Sequence, residues 1–201
     1  TFSTAGGLTV NRIAKWNGTS WSALGGGVDN TVYAIEVSGS DVYVGGDFTT
    51  AGGGTVNRIA KWNGTSWSAL GSGVDSTVYA IAVKSGNVYA GGDFTTAGGA
   101  GINRIARWNG ISWSALGAGI DSTVYSIAVN GGDLYAGGTF KTAGAASANN
   151  IARWDGGSWH AMGSGVNNNA EEMVVSGTDV HVGGDFTTAG DKPSTHFAIW
   201  D

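Results

Sequence analysis

Eight of the nine tryptophans stand in pairs five residues apart: Trp16/Trp21, Trp62/Trp67, Trp108/Trp113 and Trp154/Trp159. On a strand hairpin with a two- or four-residue loop, that spacing puts both rings on one face of the sheet. Two indoles side by side form a platform for sugar rings, or they fill the space between layers, each ring hiding about 200 Å². Every copy has the pair at the same place, as packing requires. The acids also recur. Asp29, Asp75 and Asp121 hold one position, with Asn167 in the fourth copy. Asp47, Asp93 and Asp185 hold another, after a glycine pair, with Thr1 and Thr139 standing in the remaining copies. Such oxygens suit a hard cation such as calcium. Asp-Asn-Thr and Asp-Ser-Thr are also ordinary turn sequences, whose carboxylate accepts a nearby backbone N–H. No calcium loop with carboxylates at alternating positions occurs, so turn-capping is the expected role, and these positions remain the candidates for a ligand or an ion.

Other groups offer less. Arg12, Arg58 and Arg104 fall beside the same loops, where they can pair with the aspartates. Glu171-Glu172 replaces the Tyr-Ala or Tyr-Ser of the other copies, and the last loop reads AGDKPSTHF. The acids are either a local ligand site or a polar cap on a terminal repeat, and the cap is favoured. His160, His181 and His196 have no metal spacing, and no cofactor is expected. There is no G-x-S-x-G elbow, H-E-x-x-H zinc motif or phosphate-binding loop with lysine. Asn17 and Asn63 match the glycosylation sequon, yet the hairpin turn already accounts for an asparagine there.

The whole composition narrows the classes. Net charge is −5 with no basic run, which argues against a nucleic-acid partner. Charged residues make up only 12% and apolar residues 41%, too hydrophobic for a disordered chain. Without cysteine there are no disulfides or thiolate metal sites. No apolar run approaches the length of about 18 residues that marks a membrane span. The chain opens on Thr1, as expected of a processed or excised segment.

These side chains are carried by a repeat of 46 residues. RIAKWNGTSWSALG occurs at Arg12 and Arg58, RIARWNGISWSALG at Arg104 and NIARWDGGSWHAMG at Asn150, with HFAIWD at the end. No insertion breaks the register. Within one copy the pattern predicts four strands: Thr77–Val83, Val88–Thr95, Ile102–Trp108 and Ser112–Leu116, with Asn109-Gly110 as a hairpin signal. Four short strands form a twisted sheet that cannot cover both of its own faces. Copies stacked around an axis can, and the result is an all-β propeller of four-stranded antiparallel blades. The chain divides as one domain, 1–201, with repeats at about 1–30 (partial), 31–76, 77–122, 123–168 and 169–201 (partial).

Val78–Val83, Tyr89, Gly91-Gly92, Trp108 and Trp113 resemble the kelch motif: an apolar inner strand, a turn, an aromatic strand ending in double glycine, then spaced aromatics. The tight spacing and NGTSW wording are similar to repeat arrays in large bacterial secreted or surface proteins. The resemblance implies an extracellular or cell-surface setting. It does not single out a function, since such folds host oxidases, adhesins and protein-binding modules. The copper oxidases of this fold need a cysteine-modified tyrosine, which a chain without cysteine lacks.

First-type strands occur four times and third-type strands five times. The four blades therefore either close as a ring or form part of a larger ring or chain-to-chain assembly with unpaired edges. The leading expectation is a non-catalytic extracellular binding or adhesion module, contacting protein or glycan through its loop face. The alternatives are a structural subunit joined to its homo-oligomer by strand addition, and a scaffold cut from a larger enzyme.

Overall fold

The structure is a computed structural model that describes residues 2–201. Thr1, the equivalent of Asp47 in the repeat, lies outside the described residues. The chain is an all-β repeat protein. Sheet one comprises Val32–Ser38, Asp41–Gly46, Ile59–Trp62 and Trp67–Ala69. Sheet two comprises Val78–Lys84, Asn87–Gly92, Ile105–Trp108 and Trp113–Ala115, and sheet three Val124–Asn130, Asp133–Gly138, Ile151–Trp154 and Trp159–Ala161. Sheet four has three strands, Ala170–Ser176, Asp179–Gly184 and Phe197–Trp200. A ribbon of Ala14–Trp16 and Trp21–Ala23 precedes them, equivalent to the third and fourth strands of a sheet. All pairing is antiparallel, and no sheet closes on itself among the described residues.

Each sheet is packed on the next through a core made by both. Ile59 of sheet one meets Ile81, Val88 and Ala90 of sheet two, and Ile105 of sheet two meets Val124, Leu134 and Ala136 of sheet three. Burial on both faces explains why Val78–Lys84 reads as a nearly continuous apolar run rather than a clean alternation. Phe48, Phe94, Phe140 and Phe186, one per repeat, are completely buried. Each such ring contributes roughly 1.5–3 kcal/mol of burial.

The glycine pair sits where sheets come closest. A Cβ on Gly91 would lie 2.6 Å from Val124 Cγ1 and 3.0 Å from Ile127 Cδ1 of the next sheet. One on Gly92 would collide with the Thr77 carbonyl oxygen of its own first strand. The first strand is bulged at this point, pairing Val78 with Gly92 and Ala80 with Gly91, so Tyr79 is the extra residue. The same bulge recurs at Tyr33, Tyr125 and Glu171.

Several strand limits differ from the sequence expectation: the third strand begins at Ile105 rather than Ile102, and the fourth is Trp113–Ala115 within the expected 112–116. The second strand ends at Gly92 rather than Thr95, and the loop beyond it folds into a small ribbon of Thr96–Ala97 and Ala100–Gly101. The Asn-Gly hairpin is a four-residue connection, because Trp108 pairs with Trp113. Only Gly110 takes positive φ; Asn109 instead accepts the Ile111 and Ser112 N–H groups through Oδ1, each at 2.9 Å. That side chain mimics a turn of backbone.

Gly91→Ala forces Val124 and Ile127 apart and should cost about 1–3 kcal/mol in urea unfolding. Gly183 meets nothing nearer than the His196 carbonyl oxygen at 3.9 Å. In dilute solution Gly183→Ala should therefore stay within about 0.5 kcal/mol of the parent.

Candidate binding face at the strand ends

Two loop types meet at one end of the sheets. The Asp29 carboxylate accepts the Thr49 N–H at 2.8 Å, the Thr49 hydroxyl at 2.7 Å and the Thr50 N–H at 2.9 Å. Asp75 repeats this with Thr95 and Thr96, and Asp121 with the N–H groups of Lys141 and Thr142. Asn167 does the same for Thr187 and Thr188 through its amide oxygen. The capping expectation thus needs one correction. The partners lie about twenty residues away, so each carboxylate fastens the segment entering a sheet to the loop leaving that sheet's second strand. Burial raises the Asp29 and Asp75 carboxyls, but the hydrogen bonds outweigh it and hold both below the usual range.

The second set of acids works between sheets. Asp47 accepts the Tyr33 hydroxyl of its own sheet at 3.5 Å and the Thr77 hydroxyl of the next at 2.5 Å. Asp93 likewise takes Tyr79 at 3.3 Å and Thr123 at 2.5 Å. In the third copy Thr139 makes a neutral contact within its own sheet instead, its hydroxyl oxygen 3.2 Å from that of Ser122. Asp185 is exposed, and the residue bonds through its backbone to Asn168. Arg104 donates to the Asp93 carbonyl and lies 4.0 Å from its carboxylate. Arg12 donates to the Val28 carbonyl instead, at 3.1 Å.

The bulges of the first three sheets each turn a tyrosine toward a shared opening. Tyr33 and Tyr79 have ring centroids 5.2 Å apart, and Tyr79 and Tyr125 5.4 Å, both steeply inclined. Together with Glu171 they line a shallow hollow of about 230 Å³. A cleft of about 290 Å³ runs alongside, bordered by the first strands and by Glu172. Glu171 and Glu172 therefore diverge, the first joining the tyrosines and the second turning into the cleft. Sequence reading missed this tyrosine row. The repeated tyrosine was visible, but the bulge that redirects it was not.

The tryptophan pairs belong to packing. Their centroids are 5.3–5.5 Å apart. The second ring of each pair reaches the preceding unit, where Trp67, Trp113 and Trp159 donate Nε1–H to the carbonyls of Leu24, Leu70 and Leu116 at 2.8–2.9 Å. Asn17 and Asn63 are exposed hairpin residues whose Oδ1 atoms cap the turn. His160 Nε2 lies 2.6 Å from Asp155 Oδ2 on the fourth copy's hairpin. The described residues hold no group of three or more His, Cys, Asp or Glu arranged for a metal, and no helix long and apolar enough to cross a membrane.

No protein-family model matches the sequence, and no curated protein matches it. The fold has a solved likeness. The crystal structure of the computationally designed Ika4 protein superposes with a TM-score of 0.51 at 17% identity, covering 87% of this chain and 92% of that one. The computationally designed Ika8 protein gives 0.47 at 16% identity, covering 88% of this chain and 60% of that one. The Ika4 likeness is one of fold alone: repeated four-stranded antiparallel sheets of propeller-like form.

Asp75→Asn should be nearly neutral at neutral pH, because Asn167 already performs the same task, whereas Asp75→Ala should cost about 1 kcal/mol, as for a lost capping side chain. The lowered carboxyls contribute stability that is complete above about pH 4 and lost as pH falls through their folded values. Replacing Asp29 and Asp75 together by Asn should flatten that acid limb in a pH series of thermal melts. Trp113→Ala removes a buried ring and its bond to Leu70 and should cost about 3–5 kcal/mol in urea unfolding. Trp21, at the exposed start of the series, should cost far less.

Proposed function

We propose that the chain is a non-catalytic binding module, a kelch-like propeller arc that takes its ligand at the hollow ringed by Tyr33, Tyr79, Tyr125 and Glu171. The observation that carries this reading is the recurrent bulge, which in three sheets turns an aromatic ring out of the stack and in the fourth turns out Glu171. Bulges of this kind are devices for re-aiming a side chain. Burial, then the Asp93 carboxylate, raises the Tyr79 phenol, so the hydroxyl stays protonated and keeps its bond to Asp93 while the ring is free to stack.

A glycan suits this surface better than a charged ligand. Inclined rings accept the C–H face of a pyranose, and Glu171 accepts its hydroxyls. The Asp29 and Asp75 carboxylates are already committed to loop N–H groups, which leaves them little capacity for a cation. An extracellular or cell-surface setting fits the resemblance to secreted repeat arrays.

A printed glycan array probed with the labelled chain tests the reading. Binding to a defined subset of sugars, reduced at least tenfold by Tyr79→Ala and Tyr125→Ala, is expected. A silent array, or binding indifferent to both tyrosines, contradicts it.

A further inference from the structure

The two ends of the stack carry the two halves of an interface that the chain builds three times within itself. Val78 and Ile81 of sheet two seat on Gly45 of sheet one, and Val124 and Ile127 of sheet three on Gly91 of sheet two. Ala170 and Met173 of sheet four seat on Gly137 of sheet three. Gly183 of sheet four is the next receptor in the series, with no side chain seated on it. At the other end Val32 and Ile35 of sheet one are the next ligands, with no glycine beneath them.

Exposure follows the same logic. Ile35 is 55% exposed where Ile81 is 9%, and Val37 is 62% exposed. Val174 is 59% exposed, although its counterparts Ala82 and Ala128 are buried. The fourth copy is polar only in part: both acids are exposed, and Glu172 stands opposite Gly183. Beside its acids it presents a larger side chain, Val174, on the outward face, and Ile199 stands where other copies have Lys61, Arg107 or Arg153. An apolar sheet face of this kind marks a contact surface.

The backbone makes the same offer. The ribbon strand Ala14–Trp16 pairs with Trp21–Ala23 on one edge and with no sheet on the other. In every complete sheet the second strand occupies that edge. Phe197–Trp200 and Ala14–Trp16 hold the same place in the repeat, so one must yield where the ends meet.

We infer that a second copy of this chain docks head to tail, its Val32 and Ile35 seated on Gly183 and its Ala14–Trp16 ribbon taking the place of Phe197–Trp200 against Asp179–Gly184. The register is already set: Val180 and Val182 would face Trp16 and Ala14 of the second copy as they now face Trp200 and Ala198. The seam continues the sheet-on-sheet contact already repeated within the chain, and its two sides differ, so it is heterologous.

Light scattering coupled to gel filtration at high micromolar concentration tests this. The parent should exceed the monomer mass. Ile35→Glu blocks the head and Val174→Glu the tail, both at exposed positions that leave each copy folded by circular dichroism. Each variant alone should be monomeric, with association weakened tenfold or more, on the order of the cost of an unpaired buried carboxylate. Mixed, they should recover a species of two copies and no more, since one intact head meets one intact tail. A monomeric parent overturns the inference, as it would if the chain closed on its own ends or if only a different partner covers these faces. A Val174→Glu variant that still self-associates through its heads overturns it too.

Discussion

The contact of a β-branched or aliphatic side chain with a glycine of the preceding sheet governs the rest of this structure. Without a Cβ at Gly45, Gly91 or Gly137, adjoining first strands approach closely enough for Val78, Val124 or Ala170 to fill the gap. Close approach buries the apolar faces of both sheets and excludes water from the phenylalanines behind them. The bulge goes with a contact inside each sheet, where the second glycine of the pair, Gly92 or Gly184, lies against the Thr77 or Asn169 carbonyl oxygen. The first glycine of the pair thus sets the stacking distance and the sheet cores, and the second lies at the bulge that turns the tyrosines outward.

Polar groups then hold the stack in register rather than drive it together. Asp29 and Asp75 tie loop to loop with charge-assisted bonds that survive at the surface because backbone N–H groups supply them. Asp47 and Asp93 span neighbouring sheets, and Trp67, Trp113 and Trp159 each donate to a leucine carbonyl one unit back. Asn167 makes the same loop contacts as Asp29 and Asp75 without a charge, so geometry rather than charge is what that position needs.

The sequence was most informative where the repeat is loudest. The strand sites, the antiparallel hairpins and the packing role of the tryptophan pairs follow from the 46-residue period and side-chain parity. The short ribbon at Thr96–Gly101 was not legible, since two-residue strands leave no periodicity to detect. The tyrosine row was hidden for a different reason. Alternation assigns Tyr79 to a face of the sheet, and only the bulge releases it toward the hollow. The fourth copy was legible only in part: Glu171 and Glu172 are exposed, as in a polar cap, yet Val174 on the same strand is bared to solvent as well.

The glycine seam is the contact on which the stack depends, and a double-mutant cycle measures it directly. Gly91→Ala and Val124→Ala are each introduced alone and then together, with unfolding free energies taken from urea titrations. If the seam is what sets the stacking distance, the smaller residue at 124 makes room for the new methyl, and the pair is more stable than the sum of the single losses by about 1 kcal/mol or more. Strict additivity would mean that Gly91 and Val124 do not meet, and the stacking described here would be wrong.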